Sequence, residues 1–353
     1  MTAKSGKYFE EATVGESRNP TVTLRMIADE LGIHPSTVSR VLNASGSDPS
    51  KWAAAETVQR IRNLATERGY HPNVYAANLR TARSNLVGVI VPRLQDYVLA
   101  TVYEGIEEAA IEHGLSTFVT NSLDRADNRR ARTSMMIERR VGGLIFGDAH
   151  LEDSFLEEIA AQDIPFVLVS RYTGAHISVT GDDYLGGRLV GEHLLSIGRR
   201  NVAILAGLPF ASTARDRTRG VTDVFKEAGI GISADRIVHG PFDAAGGRAA
   251  ANAVLRSGRY PDAIFATNDF AAIGALGSLR DHGLSVPEHV ALVGYNDTPL
   301  AAEMLVPLTT VRSPMHVMGR RALELLADIM AGQSVVSEHL KPELIVRASS
   351  RIA

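Results

Sequence analysis

The stretch "GIHPSTVSRVLN", residues 32–43, decides how the rest of the chain is read. Taken as a helix from Pro35, its apolar residues Val38, Val41 and Leu42 share one stripe. The other side carries Ser36, Ser39, Arg40 and Asn43. Pro35 suits a first helical position, where a missing N–H costs nothing. Upstream, Thr23 is placed to cap a helix whose apolar residues Leu24, Ile27, Ala28 and Leu31 recur with helical period. Gly32 closes that helix as a residue able to take a positive φ. The next helix starts so soon afterwards that the two must pack at a steep angle. A third helix from about Ala55 uses Val58, Ile61 and Leu64 or Ala65 and stops at Gly69. Helix, tight glycine turn, helix and supporting helix predict a helix-turn-helix head. The second helix of such a head enters the DNA major groove. The competing reading is an amphipathic helix with a merely solvated face.

Composition narrows the setting. A chain of 353 residues holds two or three domains, and 45% hydrophobic with 22% charged residues is ordinary for a globular protein. With no cysteine, disulfides and thiolate metal sites are excluded. The first twenty residues lack the apolar run of a secretory signal, and no 18-residue apolar span occurs, so a cytoplasmic location is expected. Residues 21–83 carry eight Lys/Arg against five Asp/Glu, whereas the whole chain is at −3. A small basic head on an acidic body points to a nucleic-acid partner for the head.

Beyond the head, apolar runs alternate with helical patterns: LVGVIVP, STFVTN, GGLIFG, PFVLVS, then NVAILAG, DAIFATND and VALVGYND. Helices are expected at Val102–His113, Leu151–Gln162 and Ala244–Ser257. Continuous apolar strands separated by helices imply parallel sheets covered on both faces. A break near Asp182–Tyr184 suggests two lobes. Ligands in such sheets bind beyond the carboxyl ends of the strands. That rule places Ser170–Arg171, Asn268–Asp269 and Tyr295–Asp297 at one cleft mouth.

"TLRMIADELGIHPSTVSRVLN", "ERGYHPN" and "LRTARSNLVGVIVP" closely resemble the lactose/galactose-repressor (LacI) family of bacterial transcription regulators. The resemblance continues through "IPFVLVSR", "FATNDFAAIGAL", "VALVGYNDT", "PLTTV" and "LIVRASS", over roughly residues 21–351. It implies a small all-α helix-turn-helix head with a hinge helix, joined to an α/β two-lobe core of doubly wound parallel sheets, periplasmic-binding-protein-like. The expected layout is an extension over 1–20, a head over 21–72, a hinge over 73–85 and an effector-binding and dimerisation core over 86–353. Because the chain crosses back near Pro314 and Pro342, the N-lobe takes about 86–183 and 314–341, and the C-lobe about 184–313 and 342–353.

The same resemblance assigns residues. Pro35, Ser36 and Arg40 fall at base-reading positions, with Arg40 either a guanine reader, through its fork of donors, or a phosphate clamp. Thr23, Thr37, Ser39, Asn43, Tyr70 and Asn73 fall at further DNA-binding positions, several of them phosphate-facing. Leu79 holds the place of the family's minor-groove wedge; the alternative for 73–85 is a plain linker. Ala77 stands where the family often has Arg. His34 replaces the family's capping Ser, so the cap is expected to weaken, or the imidazole to reach a phosphate. "ASGSDPSKWAAA" is longer than the family's equivalent, and Trp52 is expected to pack back onto the head. In the core, Tyr97, Ser170, Arg171, Arg217, Phe242, Asn268, Asn296 and Met315 fall at effector positions. Arg217 alternatively pairs with Asp216 or Asp223, and Phe242 alternatively belongs to the core. Asn296 and Ser170 stand where sugar-binding members often have Asp, which favours a more acidic effector over the default neutral sugar.

Enzyme motifs are absent: no phosphate-binding Gly-Lys-Ser/Thr loop, no His-Glu-x-x-His and no Gly-x-Ser-x-Gly. The eleven His lack ligand spacing, so neither a metal nor a cofactor is expected. The reading is therefore a dimeric, sequence-specific regulator, more a repressor than an activator. Its partners are double-stranded operator DNA, a sugar-like effector and a second copy of itself, with no membrane. A secreted sugar receptor and a sugar-metabolising enzyme are the competing classes. No heptad tail follows "IVRASS", so a dimer rather than a tetramer is expected.

Overall fold

In the computed structural model the chain divides into two compact units, Met1–Arg83 and Ser84–Ala353. The structure describes residues 22–42, 51–70, 84–174, 176–256 and 258–351. The 1–20 extension, Asn43, most of the long loop, Asn73, Ala77 and Leu79 lie outside the described residues.

The first unit is built of α1 (Leu24–Leu31), α2 (Pro35–Leu42) and α3 (Ala55–Glu67). The Thr23 hydroxyl accepts from the Met26 N–H at 3.3 Å and caps α1, while Gly32 ends it in the left-handed region at φ 66°. The apolar stripes converge: Ile27, Ala28, Val38, Val41, Val58, Ile61 and Ala65 form one buried cluster. Arg68, at the end of α3, pairs with Glu30 of α1 at 2.7 Å.

The second unit holds two six-stranded sheets. Its strands are β1 (Leu86–Val91), β2 (Ser116–Asn121), β3 (Gly143–Phe146), β4 (Phe166–Val169), β5 (Ser178–Gly181), β6 (Val202–Gly207), β7 (Ile237–His239), β8 (Ala263–Ala266), β9 (Ala291–Asn296), β10 (Thr309–Arg312), β11 (Glu338–Leu340) and β12 (Glu343–Ile345). The first sheet runs β11-β5-β4-β3-β1-β2 and the second β12-β10-β9-β8-β6-β7. All pairs are parallel except β10 with β12. The chain passes between the sheets after β5, after β10 and between β11 and β12. Strands β1, β3 and β4 are almost wholly buried, which explains their unbroken apolar runs.

The helices are α4 (Tyr97–Glu112), α5 (Ala126–Glu138), α6 (Ser154–Ala160), α7 (Asp183–Ser196), α8 (Ser212–Glu227), α9 (Ala244–Leu255), α10 (Asp269–Asp281), α11 (Pro299–Glu303) and α12 (Met315–Met330). Three ranges differ from expectation. Helix α4 starts at Tyr97 because the Asp96 carboxylate accepts from the Val98 N–H, α6 is confined to Ser154–Ala160, and α9 ends at Leu255. Three helix pairs meet through reciprocal glycines: Gly105 with Gly319, Gly187 with Gly220 and Gly247 with Gly274. A Cβ on any of these would lie 1.9–2.3 Å from a backbone carbonyl oxygen of the partner helix. Only glycine allows backbones to approach so closely.

Candidate functional site

Two places gather the residues singled out above, and each is described on its own unit. On the head, Val38 and Val41 are buried and Leu42 packs against the same cluster, which leaves Ser36 and Arg40 on the opposite, outward side of α2. Ser36 and Arg40 are exposed; Pro35, Thr37 and Ser39 are half-buried; Tyr70 packs against the head's apolar cluster. His34 does not leave α2 poorly capped. Its Nδ1 accepts from the Ser36 N–H at 3.3 Å and lies 2.8 Å from the Ser36 hydroxyl. Its carbonyl accepts from Thr37 and Val38. The imidazole thus takes over the work of a capping hydroxyl, two residues ahead of the donor it satisfies. Trp52 does return to the head, but onto its polar side: the Arg40 guanidinium carbon lies 4.8 Å over the indole centroid.

In the core, a cleft opens between the carboxyl ends of the two sheets. Six of the eight expected effector residues line it: Ser170, Arg171, Arg217, Phe242, Asn268 and Asn296. The other two do not. Tyr97 stands 40% exposed, and Met315 is packed into the apolar core of the first lobe. In place of Tyr97 the lining takes Asp96 and Val98, its chain neighbours. Leu99, Gly147 and Thr213 complete the wall. Of these, Asp96 alone had a sequence signal, an acid directly before an apolar helical run.

The cleft's charged groups are occupied by one another. Arg217 Nε donates to Asp183 at 2.7 Å, Nη1 donates to the Thr267 carbonyl at 2.7 Å, and the guanidinium carbon sits 3.7 Å from the Tyr295 ring centroid. Burial works against the Arg217 charge, yet Asp183 beside it more than compensates and keeps it protonated. The pairing partner is thus Asp183, not Asp216 or Asp223. Asp216 is taken by Arg215 and the Tyr172 hydroxyl, and Asp223 by the Tyr184 hydroxyl. Gly186 makes this stack possible, since a Cβ there would lie 2.1 Å from the Tyr295 hydroxyl. Arg171 donates to both oxygens of Asp124, at 2.7 and 3.3 Å. Burial alone would raise the Asp124 carboxyl, but His150 and Arg171 bring it down to about 2. Asp96 is raised by burial, against the pull of the Val98 N–H and the two guanidiniums. Each cation therefore has its own carboxylate, and among the described residues no unpaired positive charge lines the cleft to favour an acidic effector.

The amides differ from one another. Asn268 spends both ends internally: Oδ1 accepts from the Ala271 N–H at 2.7 Å, and Nδ2 donates to the Phe242 carbonyl at 2.6 Å. It fixes the start of α10 and the position of Phe242. The Asn296 Oδ1 is buried and has no hydrogen-bond partner. Asn296 (φ 109°) and Ser170 (φ 66°) both have left-handed backbones, at the carboxyl ends of β9 and β4. Such conformations are costly for residues with a Cβ and gather where a fold serves a ligand. Across the cleft the lobes are joined by the Leu151 N–H to the Phe210 carbonyl at 2.9 Å and the Tyr172 N–H to the Ser212 hydroxyl at 3.0 Å.

A helix-turn-helix head carried by a two-lobe core with a polar cleft is the architecture of a ligand-linked transcription regulator. Comparison with known proteins agrees. Residues 192–350 match the model of the periplasmic binding protein-like domain. The chain is 31% identical over 336 residues to the HTH-type transcriptional regulator DegA of Bacillus subtilis (strain 168), covering 93% of this chain and 98% of that one. The lac repressor dimer, solved bound to operator and the anti-inducer ONPF, superposes with a TM-score of 0.84 at 26% identity, over 93% of this chain and 98% of that one. The regulator CelR in complex with cellobiose gives 0.71 at 27% identity, over 93% and 99%. The chain belongs to the LacI family of helix-turn-helix transcriptional regulators. Its relatives are regulators of transcription, not enzymes. Among the described residues no helix is long and apolar enough to cross a membrane.

Proposed function

We propose that this chain is a cytoplasmic, dimeric repressor that binds a pseudo-palindromic operator and changes affinity when a neutral, hydroxyl-rich ligand enters the cleft. The head spans 21–72, the hinge 73–85 and the core 86–353, with the lobe boundaries given above. The observation that carries the DNA half is the row along α2, where exposed Ser36 and Arg40 stand opposite a buried stripe. Among the described residues no hydrogen bond or ion pair ties up the Arg40 donors, so its fork is available for guanine O6 and N7. Pro35 and Ser36 share that base-facing row. Thr23, Thr37, Ser39, Asn43, Tyr70 and Asn73 position the backbone, and Leu79 wedges the minor groove.

The ligand half rests on the cleft's pairing pattern. Arg171 and Arg217 are matched by Asp124 and Asp183, so an anion gains little there. The buried Asn296 Oδ1 lacks a donor, which a hydroxyl supplies. Phe242 offers a face for the apolar side of a sugar ring. That CelR was solved with cellobiose, and the lac repressor dimer with operator, is consistent with both halves.

The test is to select duplexes from a random-sequence library with the full-length chain, then titrate a panel of neutral sugars and sugar acids against the selected duplex. A conserved two-fold motif, and a neutral sugar that shifts affinity, are expected. A chain that binds sugars but retains DNA only non-specifically is a plain receptor, and the reading is wrong. Response to acids alone would overturn the neutral ligand.

A further inference from the structure

The contact between Arg40 and Trp52 is not required by either half of that reading. Trp52 is the sole tryptophan of the chain and stands 43% exposed, outside the head's apolar cluster. It lies three residues before α3, in a segment that the family resemblance makes longer than its equivalents. A ring that size left in water and placed against one side chain of the reading helix calls for a reason other than core formation.

We infer that Trp52 is a positioning residue for DNA reading, holding the Arg40 guanidinium in place before the duplex arrives. The inference rests on Arg40 being the base reader proposed above. A guanidinium stacks on an aromatic ring through its flat π face, which leaves the N–H groups in its plane free to form a bidentate contact. An exposed carboxylate in the same place would instead occupy those donors. The geometry here has the guanidinium carbon 4.8 Å over the indole, and among the described residues no carboxylate pairs with it. Arginine carries large rotamer entropy on the surface, and a stacked arginine has lost part of it before binding. The preordered side chain therefore binds its base pair more tightly and discriminates against the others more sharply. No other described residue lies against the Arg40 guanidinium in this way. His34 caps the start of α2 through Ser36 instead.

The experiment uses the full-length chain and the duplex selected from the random library, with each base pair changed in turn. Trp52→Ala should weaken that duplex about two- to fivefold, the size of an exposed cation–π contact. The loss should concentrate at the base pair that Arg40→Ala also flattens, with binding to random-sequence DNA unchanged. Trp52→Phe should retain most of the affinity. In an Arg40→Ala background Trp52→Ala should have no further effect, and the emission of the single tryptophan should shift in Arg40→Ala. Circular dichroism checks that the head stays folded, as expected for an exposed side chain. Equal losses on every duplex, or the same loss in both backgrounds, would mean that the ring touches DNA or props the head by itself, and would overturn the inference. No loss at all would overturn it too. Arg40→Ala that flattens no base pair would instead sink the reading of α2, a separate failure.

Discussion

The head and the cleft use the same residue types in opposite ways. On α2, Arg40 is exposed and lies over an indole, and among the described residues no hydrogen bond or ion pair takes its donors. In the cleft, Arg217 is 6% exposed and holds a carboxylate, a backbone carbonyl and a tyrosine ring at once. One arginine waits for a partner; the other is already part of the fold. DNA recognition can be kept separate from stability because phosphate and base edges come to an exposed surface. The groups that line the cleft also hold its walls in place.

That contrast can be broken by experiment. Arg217→Ala should be the most damaging change, lowering the unfolding free energy of the core by roughly 3–5 kcal/mol, since Asp183 would be left buried without its cation. Denaturant unfolding of the full chain decides it: wild-type stability with lost ligand response would make Arg217 a dedicated ligand group and erase the contrast.

Asp148 gives a pH-dependent version. It is fully buried beside Gly147 of the cleft wall, its Oδ1 has no hydrogen-bond partner, and burial pushes it up to about 6 despite Arg129 nearby. Because the folded value exceeds the unfolded 3.8, the unfolded chain ionises first as pH rises. Stability is thus lost between about pH 4 and pH 6 and is level above that, by roughly 2–3 kcal/mol. Asp269, also raised to about 6 by burial, acts in the same window. Asp148→Asn should flatten its share of that fall; parallel stability curves for variant and wild type from pH 4 to 7 would refute it.

Arg40→Ala should weaken selected duplexes by roughly 1–3 kcal/mol, relax one base pair and leave the melting temperature unchanged. A matching drop in melting temperature would place Arg40 with Arg217 rather than against it. The smallest effect is expected from His34→Ala, which should destabilise α2 by about 1 kcal/mol through loss of its cap, with His34→Ser restoring it. Amide exchange at Ser36 and Thr37 reads this directly, and unchanged exchange would show the cap to be idle.

How much of this was legible beforehand depended on the range of the interactions. Helix periodicity and the Thr23 and Gly32 ends are local, so α1, α2 and α3 could be read directly, as could the long buried strands. Strands β5, β7, β10, β11 and β12 are three or four residues long and, unlike the equally short β3, β4 and β8, are not carried by an unbroken apolar run. The Arg217 partner was misread because sequence neighbours look close. Asp216 lies about 100° round the helix from Arg217 and faces Tyr172 instead. Asp183 is 34 positions away, brought near by the Gly187–Gly220 contact between α7 and α8. The Trp52 contact likewise joins two helices' surroundings, and nothing in residue spacing announces it.

The reciprocal glycines have a mechanical consequence. Each such pair interlocks two helices at a depth where neither can slide along its partner without driving a carbonyl into a Cα. Within the pairs α4–α12, α7–α8 and α9–α10, sliding of one helix along the other is therefore closed off. The lobes themselves are linked covalently only at the three crossings between the sheets, near Asp182, Ser313 and Lys341.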